Sequence, residues 1–107
     1  MYIQIVNFNL LNMTPAEYEA VCSQLAPQFV AMPGLISKVW LADPASNTFG
    51  GVYTWRDRTD CEAYKNSALF KSVATHPNLT NISSREFGAL EELTRLTRGA
   101  AVHASTA

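Results

Sequence analysis

The stretch LISKVWLADPASNTFGGVYTW, residues 35–55, decides the fold. Leu35 to Ala42 is rich in β-formers, and Asp43-Pro44-Ala45-Ser46-Asn47 is turn chemistry. Thr48 to Trp55 then returns as the partner of an antiparallel hairpin. Gly50-Gly51 inside the second arm predicts a bulge, or the close approach of something else to the backbone. A Pro33-Gly34 turn precedes the hairpin. Further upstream, Thr14-Pro15-Ala16-Glu17 opens a helix: Thr14 caps, Pro15 suits the first position and Glu17 completes a capping box. Tyr18, Val21, Cys22, Leu25 and Phe29 follow at helical spacing, and Pro27 predicts a kink or an end nearby. Downstream, Thr59 to Glu62 reads as a second capping box opening a helix through Cys61 and Tyr64. Ser67 caps a short continuation carrying Phe70 and Val73.

Outermost lie two more strands, Tyr2 to Leu10 and a weaker one from Asn78 to Phe87. The order is β-α-β-β-α-β, an α+β ferredoxin-like unit with an antiparallel sheet. Residues 1–98 form one domain, and the small, polar residues 99–107 read as a disordered tail. Both helices of such a unit cover one sheet face. Yet the first strand is apolar on both sides, with Ile3 and Ile5 on one and Val6, Phe8 and Leu10 on the other. An identical chain is the economical cover, so a homodimer packed sheet to sheet is expected. Leu90, Leu93 and Leu96 recur every third residue and are expected to pack on that dimer, leaving Arg95 and Arg98 in water.

Composition removes several classes of function. With 107 residues there is room for one domain, and 48% hydrophobic against 16% charged residues excludes a disordered chain. Eight Lys and Arg against nine Asp and Glu leave a net charge of −1, with no basic face for a nucleic acid. No apolar run reaches the roughly 18 to 20 residues that span a bilayer. The start MYIQIVNFNLL has neither a basic segment nor a small-residue cleavage site, so a cytoplasmic protein is expected. The sequons at Asn12, Asn78 and Asn81 are then without consequence. Cys22 and Cys61 are too few for a disulfide framework or a four-ligand zinc site, and read as buried free thiols. Ser-His-Asp spacing, a phosphate loop, paired catalytic carboxylates and a dinucleotide glycine pattern are all missing, and no metal or organic cofactor is expected.

Some residues do carry chemistry. His76 ends the second helical region beside Pro77, and an imidazole titrating near 6.5 suits a general base. The alternative is a helix-terminal histidine facing water. His103 falls in the tail and reads as inert. Lys38 and Trp40 share one face of their strand, as do Tyr53 and Trp55. If those faces coincide, a cation, two indoles and a phenol line one wall, where planar rings stack and a lysine steadies a phenolate. Alternatively, the indoles are core or interface and Lys38 pairs with a carboxylate. Asn7 is an amide in an apolar strand, and Arg85 lies on the last strand; each bonds its surroundings or points at a ligand.

Met32-Pro33-Gly34-Leu35-Ile36-Ser37-Lys38-Val39-Trp40, followed by Gly50-Gly51-Val52-Tyr53-Thr54-Trp55 and a helix with Tyr64, resembles the bacterial YdhR-like monooxygenases over roughly residues 1–98. The resemblance implies a dimeric α/β barrel, a superfamily shared with cofactor-free antibiotic-biosynthesis monooxygenases and haem-degrading enzymes. It also implies a cofactor-independent monooxygenase acting with dioxygen on an electron-rich aromatic or polyketide-like small molecule. By chemical type, His76 would take the proton, Tyr53 and Lys38 would hold the oxyanion, and Trp40 and Trp55 would stack on the ring. Asn7, Tyr64 and Arg85 complete the expected binding set. A non-oxidative binding protein, isomerase or cyclase on the same fold is the alternative. The haem-degrading branch comes third: Asn7 matches its strand asparagine and Tyr64 stands at its tryptophan. Its ligand position, however, falls at Ala74, two residues before His76, which turns a helical side chain by about 200°.

Overall fold

The computed structural model of the chain describes residues 1–99. The expectations for the tail and for His103 lie outside the described residues. Strand β1 (Tyr2–Leu10) is followed by helix α1 (Pro15–Val30) and strand β2 (Leu35–Asp43). A 3₁₀ turn at Pro44–Ser46 leads into β3 (Thr48–Trp55). Helices α2 (Arg58–Lys65) and α3 (Ala68–Ala74), strand β4 (Leu79–Gly88) and helix α4 (Glu91–Leu96) complete the chain. The sheet runs β2-β3-β1-β4 with every neighbouring pair antiparallel, which is the ferredoxin-like arrangement. No helix among the described residues is long and apolar enough to cross a membrane.

The helix starts follow local chemistry. Thr14 accepts from the Glu17 amide at 3.1 Å, and the Glu17 carboxylate accepts from the Thr14 amide at 2.9 Å. Helix α1 runs through Pro27 to Val30 rather than stopping at the proline. Pro27 opens the last turn, where the missing N–H costs a single bond. The cap of α2 is Asp57, not Thr59: its side chain accepts from the Asp60 amide at 3.0 Å. Ser67 caps α3 as expected, accepting from the Phe70 amide at 3.2 Å.

Glycine answers to close approach rather than to a bulge. A Cβ on Gly50, where φ is 149°, would stand 1.8 Å from the Val6 carbonyl oxygen of β1. The register shifts fall elsewhere, between Asn7 and Asn9 and between Leu35 and Ser37. At the far end of the hairpin Asn47, with φ 52°, clasps the end of β1. Its side chain accepts from the Leu10 amide at 3.3 Å and donates to the Leu10 carbonyl at 2.9 Å, while its own carbonyl accepts from Asn9 Nδ2 at 2.7 Å.

Burial alternates along β1, with Gln4, Val6, Phe8 and Leu10 facing the helices. Gln4 is buried but satisfied: it accepts from the Trp55 indole at 3.0 Å and donates to Ser84 at 3.1 Å. The opposite face is bare in the single chain. Ile3, Ile5 and Val52 lie there beside Val39 and Phe87, which are 57% and 44% exposed. Leu90, Leu93 and Leu96 are also exposed, so α4 finds no cover among the described residues.

Candidate functional site

Between the sheet and the helices lies a cavity of about 190 Å³. Its volume is close to that of a cavity that takes a single benzene ring, about 150 Å³. From α1 come Tyr18, Cys22, Leu25 and Phe29, so the stripe that builds the core also builds the wall. Phe8 contributes from β1, Val73 from α3, and Leu79 from the start of β4. The polar groups are few: Lys38, Ser72, His76, the Tyr18 and Tyr53 hydroxyls and the Cys22 thiol. A second hollow of about 490 Å³ shares Tyr18, Cys22 and Trp40 with the first and extends between α1 and the β2–β3 turn. Trp40, with Tyr18 and Cys22, therefore stands between an inner and an outer chamber.

Strand register places Lys38 opposite Tyr53, and the two side chains meet: Lys38 Nζ donates to Tyr53 Oη at 2.7 Å. The Tyr53 hydroxyl in turn lies 3.1 Å from that of Tyr64 on α2. Three rings surround the amine, with their centroids 3.9 Å (Tyr53), 4.0 Å (Trp40) and 4.3 Å (Phe29) from Nζ. Gly51 makes room for it, since a Cβ there would stand 2.8 Å from Nζ. No carboxylate lines the cavity among the described residues. Burial without an anionic partner brings the Lys38 ammonium down from the ordinary lysine range to about 7. Burial pushes the Tyr53 and Tyr18 hydroxyls far up, and that of Tyr64 to about 12. The Cys22 thiol is raised by burial as well, against a smaller downward pull from the Tyr18 hydroxyl and Lys38. At neutral pH the phenols are thus uncharged, and burial has brought Lys38 to where its proton is readily given up.

His76 sits just past the end of α3 and lines the same cavity. Its Nδ1 accepts from the Asn78 amide at 3.1 Å, which leaves Nε2 as its free edge. Because α3 ends at Ala74, the helical rotation expected to turn His76 away from the site does not apply.

The remaining expected residues lie elsewhere. Trp55 is fully buried beneath α2, stacked parallel to Tyr53 and bonded to Gln4, so it belongs to the core. Tyr64 does not line the cavity, and meets its wall through the Tyr53 hydroxyl and the Phe29 ring. Asn7 points to the bare sheet face, where its amide lies 3.5 Å from the Phe49 carbonyl. Arg85 occupies that same face over the Phe87 ring. Tyr18 and Phe29 are the wall residues that the sequence reading missed as functional. Their helical spacing was visible, but which part of an apolar stripe meets a void depends on the sheet beneath it.

A family model described as "Putative mono-oxygenase ydhR" matches residues 3–100. The chain belongs to this family. Among solved structures, the ydhR-family chain is similar to SnoaB, a cofactor-independent oxygenase from Streptomyces nogalater. The two share 23% identity over 82% of this chain and 92% of SnoaB, with a TM-score of 0.64. It is also similar to the heme-degrader MhuD from Mycobacterium tuberculosis, solved with two hemes bound, at 19% identity over 84% of this chain and 96% of MhuD and a TM-score of 0.67. At these identities the likeness is one of fold. A comparison with curated protein sequences finds no match.

Proposed function

We propose that this protein is a cofactor-independent oxygenase of a small, electron-rich aromatic compound, with Lys38 as the base that generates the substrate anion. The observation that carries this reading is the Lys38 amine, set in an apolar cavity 2.7 Å from Tyr53 Oη with no carboxylate beside it. Ground-state dioxygen reacts poorly with closed-shell molecules, so the substrate must first become electron-rich. A neutral Lys38 takes a proton from a phenol or from a methylene flanked by aryl and carbonyl groups. The ammonium that results then faces the anion it has made, and the Tyr53 hydroxyl donates to the same oxygen. The anion passes an electron to dioxygen, the two radicals join at carbon, and loss of water leaves a ketone. The sum is one methylene plus one dioxygen giving one carbonyl and one water.

The two chambers support a fused or substituted ring system, its reacting ring inside and its remainder beyond Trp40. This favours an aromatic or polyketide-like substrate over haem, since a porphyrin does not fit an inner chamber sized for one ring. We assign His76 a supporting place at the rim. The bare face around Ile5, Val39 and Val52 supports a two-fold dimer closed sheet to sheet, and sedimentation at micromolar concentration tests that assembly.

An oxygen electrode tests the chemistry. Anthrone- or naphthol-type compounds should drive protein-dependent oxygen uptake that Lys38→Met abolishes. Thermal protection by the same compounds without oxygen uptake would replace this reading with a carrier or isomerase, and a Soret band on titration with hemin would replace it with haem chemistry.

A further inference from the structure

We infer that Lys38 is a carbonyl-capturing amine: the cavity presents its Nζ, hydrogen-bonded to Tyr53 and ringed by Phe29, Trp40 and Tyr53, to a single-ring aldehyde or ketone and forms an imine there. The inference rests on the same cavity as the oxygenase reading but does not need oxygen.

Three features of the site point this way. Imine formation needs a free amine pair. Among the described residues no carboxylate lines the cavity to hold the Lys38 proton, and burial brings the ammonium down to about 7, where the neutral amine is well populated, unlike that of an ordinary lysine. It also needs a ring-sized apolar space next to nitrogen, so that the carbonyl carbon arrives in reach of the lone pair; the inner chamber supplies it. Finally, it needs a proton donor at the departing oxygen. The Tyr53 hydroxyl lies 2.7 Å from Nζ and stays protonated. The atoms balance. The nitrogen lone pair bonds to the carbonyl carbon, giving a carbinolamine. The C–O bond then breaks, with oxygen leaving as water on a proton relayed from nitrogen through Tyr53, and the C=N bond forms. No electrons enter or leave.

The other side-chain amines provide an internal contrast. Lys65 is held by Glu62 at 3.2 Å and Glu86 at 2.8 Å, and these partners raise its affinity for a proton. Lys71 is exposed on α3. Neither lines the cavity.

The test uses the full chain under nitrogen at pH 7, with benzaldehyde as the probe and cyanoborohydride as the hydride donor. Hydride reduces the imine carbon to a stable benzylamine, and peptide mass spectrometry maps its position. The expected result is benzylation of Lys38 at least about tenfold faster than of Lys65 or Lys71. Toluene, which fills the cavity but has no carbonyl, should slow labelling at Lys38 alone. Labelling at Lys38 no faster than at the other two lysines, or a Lys38 rate indifferent to toluene, overturns the inference. Because oxygen is excluded, a failure here leaves oxygen uptake to be judged separately, and the reverse also holds.

Discussion

Lys38 Nζ and Tyr53 Oη sit 2.7 Å apart on adjacent strands, a cation and a phenol held together in a cavity that no carboxylate lines among the described residues. Such a lysine costs the fold. Its folded value near 7 lies well below the roughly 10.4 of an exposed lysine. Below pH 7 both states carry the charge, and the folded state bears the full desolvation penalty. Between about 7 and 10.4 the unfolded chain binds more protons, so stability rises with pH, and above that window the penalty is gone. Lys38→Met should therefore be more stable than the parent at pH 6, by on the order of 2–4 kcal/mol, with the gap closing towards pH 10. Urea midpoints of the two proteins across that range measure it. A gap that stays constant with pH would refute the half-buried cation without an anionic partner.

Turnover should separate the two candidate bases. Lys38→Met is expected to lose ~10²–10⁴-fold in rate while still binding the ring, whereas His76→Ala should lose less than about tenfold. The rate should climb as pH rises through about 7, because only the neutral amine accepts a proton. Cys22 and Tyr18 from α1, Tyr53 from β3 and His76 also face the cavity. Burial keeps the thiol and both phenols protonated across this range, so His76→Ala must retain the same pH profile. If it flattens instead, the base is His76.

The two tryptophans should behave as different kinds of residue. Trp40 is 39% exposed and divides the chambers, so Trp40→Ala should weaken ligand binding with little change in unfolding. Trp55→Ala should cost about 3–5 kcal/mol of stability, since it empties the core and strands the Gln4 carbonyl. Calorimetry for binding and urea melts for stability distinguish them. A Trp55 variant that keeps its melt but loses binding would return that indole to the site.

Gly50→Ala should be far more damaging than its single methyl suggests. The added carbon would collide with the Val6 carbonyl oxygen, a backbone atom that cannot rotate away. A loss of at least about 2 kcal/mol is expected in the same melts. A variant of unchanged stability would mean that β1 and β3 are freer to separate than their pairing implies.

The succession of elements, the turn chemistry and the Thr14 and Ser67 caps were legible because each is local: a capping side chain bonds an amide three residues on. The Lys38, Trp40 and Tyr53 cluster was legible as well, since alternation on two paired strands brings residues 38, 40 and 53 to one face. Trp55 shares that alternation, but α2 covers only its end of the strand. The covering helix, not the period of two, decides which aromatic lines a void. Asn7 was misplaced for a related reason: polarity within an apolar strand gives no direction, and residue parity puts it opposite Val6 and Phe8. The lowered proton affinity of Lys38 lay beyond local reading, because it depends on Phe29 and Trp40 closing around it and on the missing carboxylate.

Asn47 has a consequence for the shape of the outer chamber. Through Leu10 and Asn9 it fastens the β2–β3 turn to the end of β1, and only a short connection separates Leu10 from the start of α1. The turn and α1 are the two sides of the outer chamber. Their spacing is thus held by three hydrogen bonds and a few residues of chain before any ligand arrives. The chamber is preorganised, so any molecule that entered it would meet a fixed width at the mouth and would cost the chain little conformational entropy.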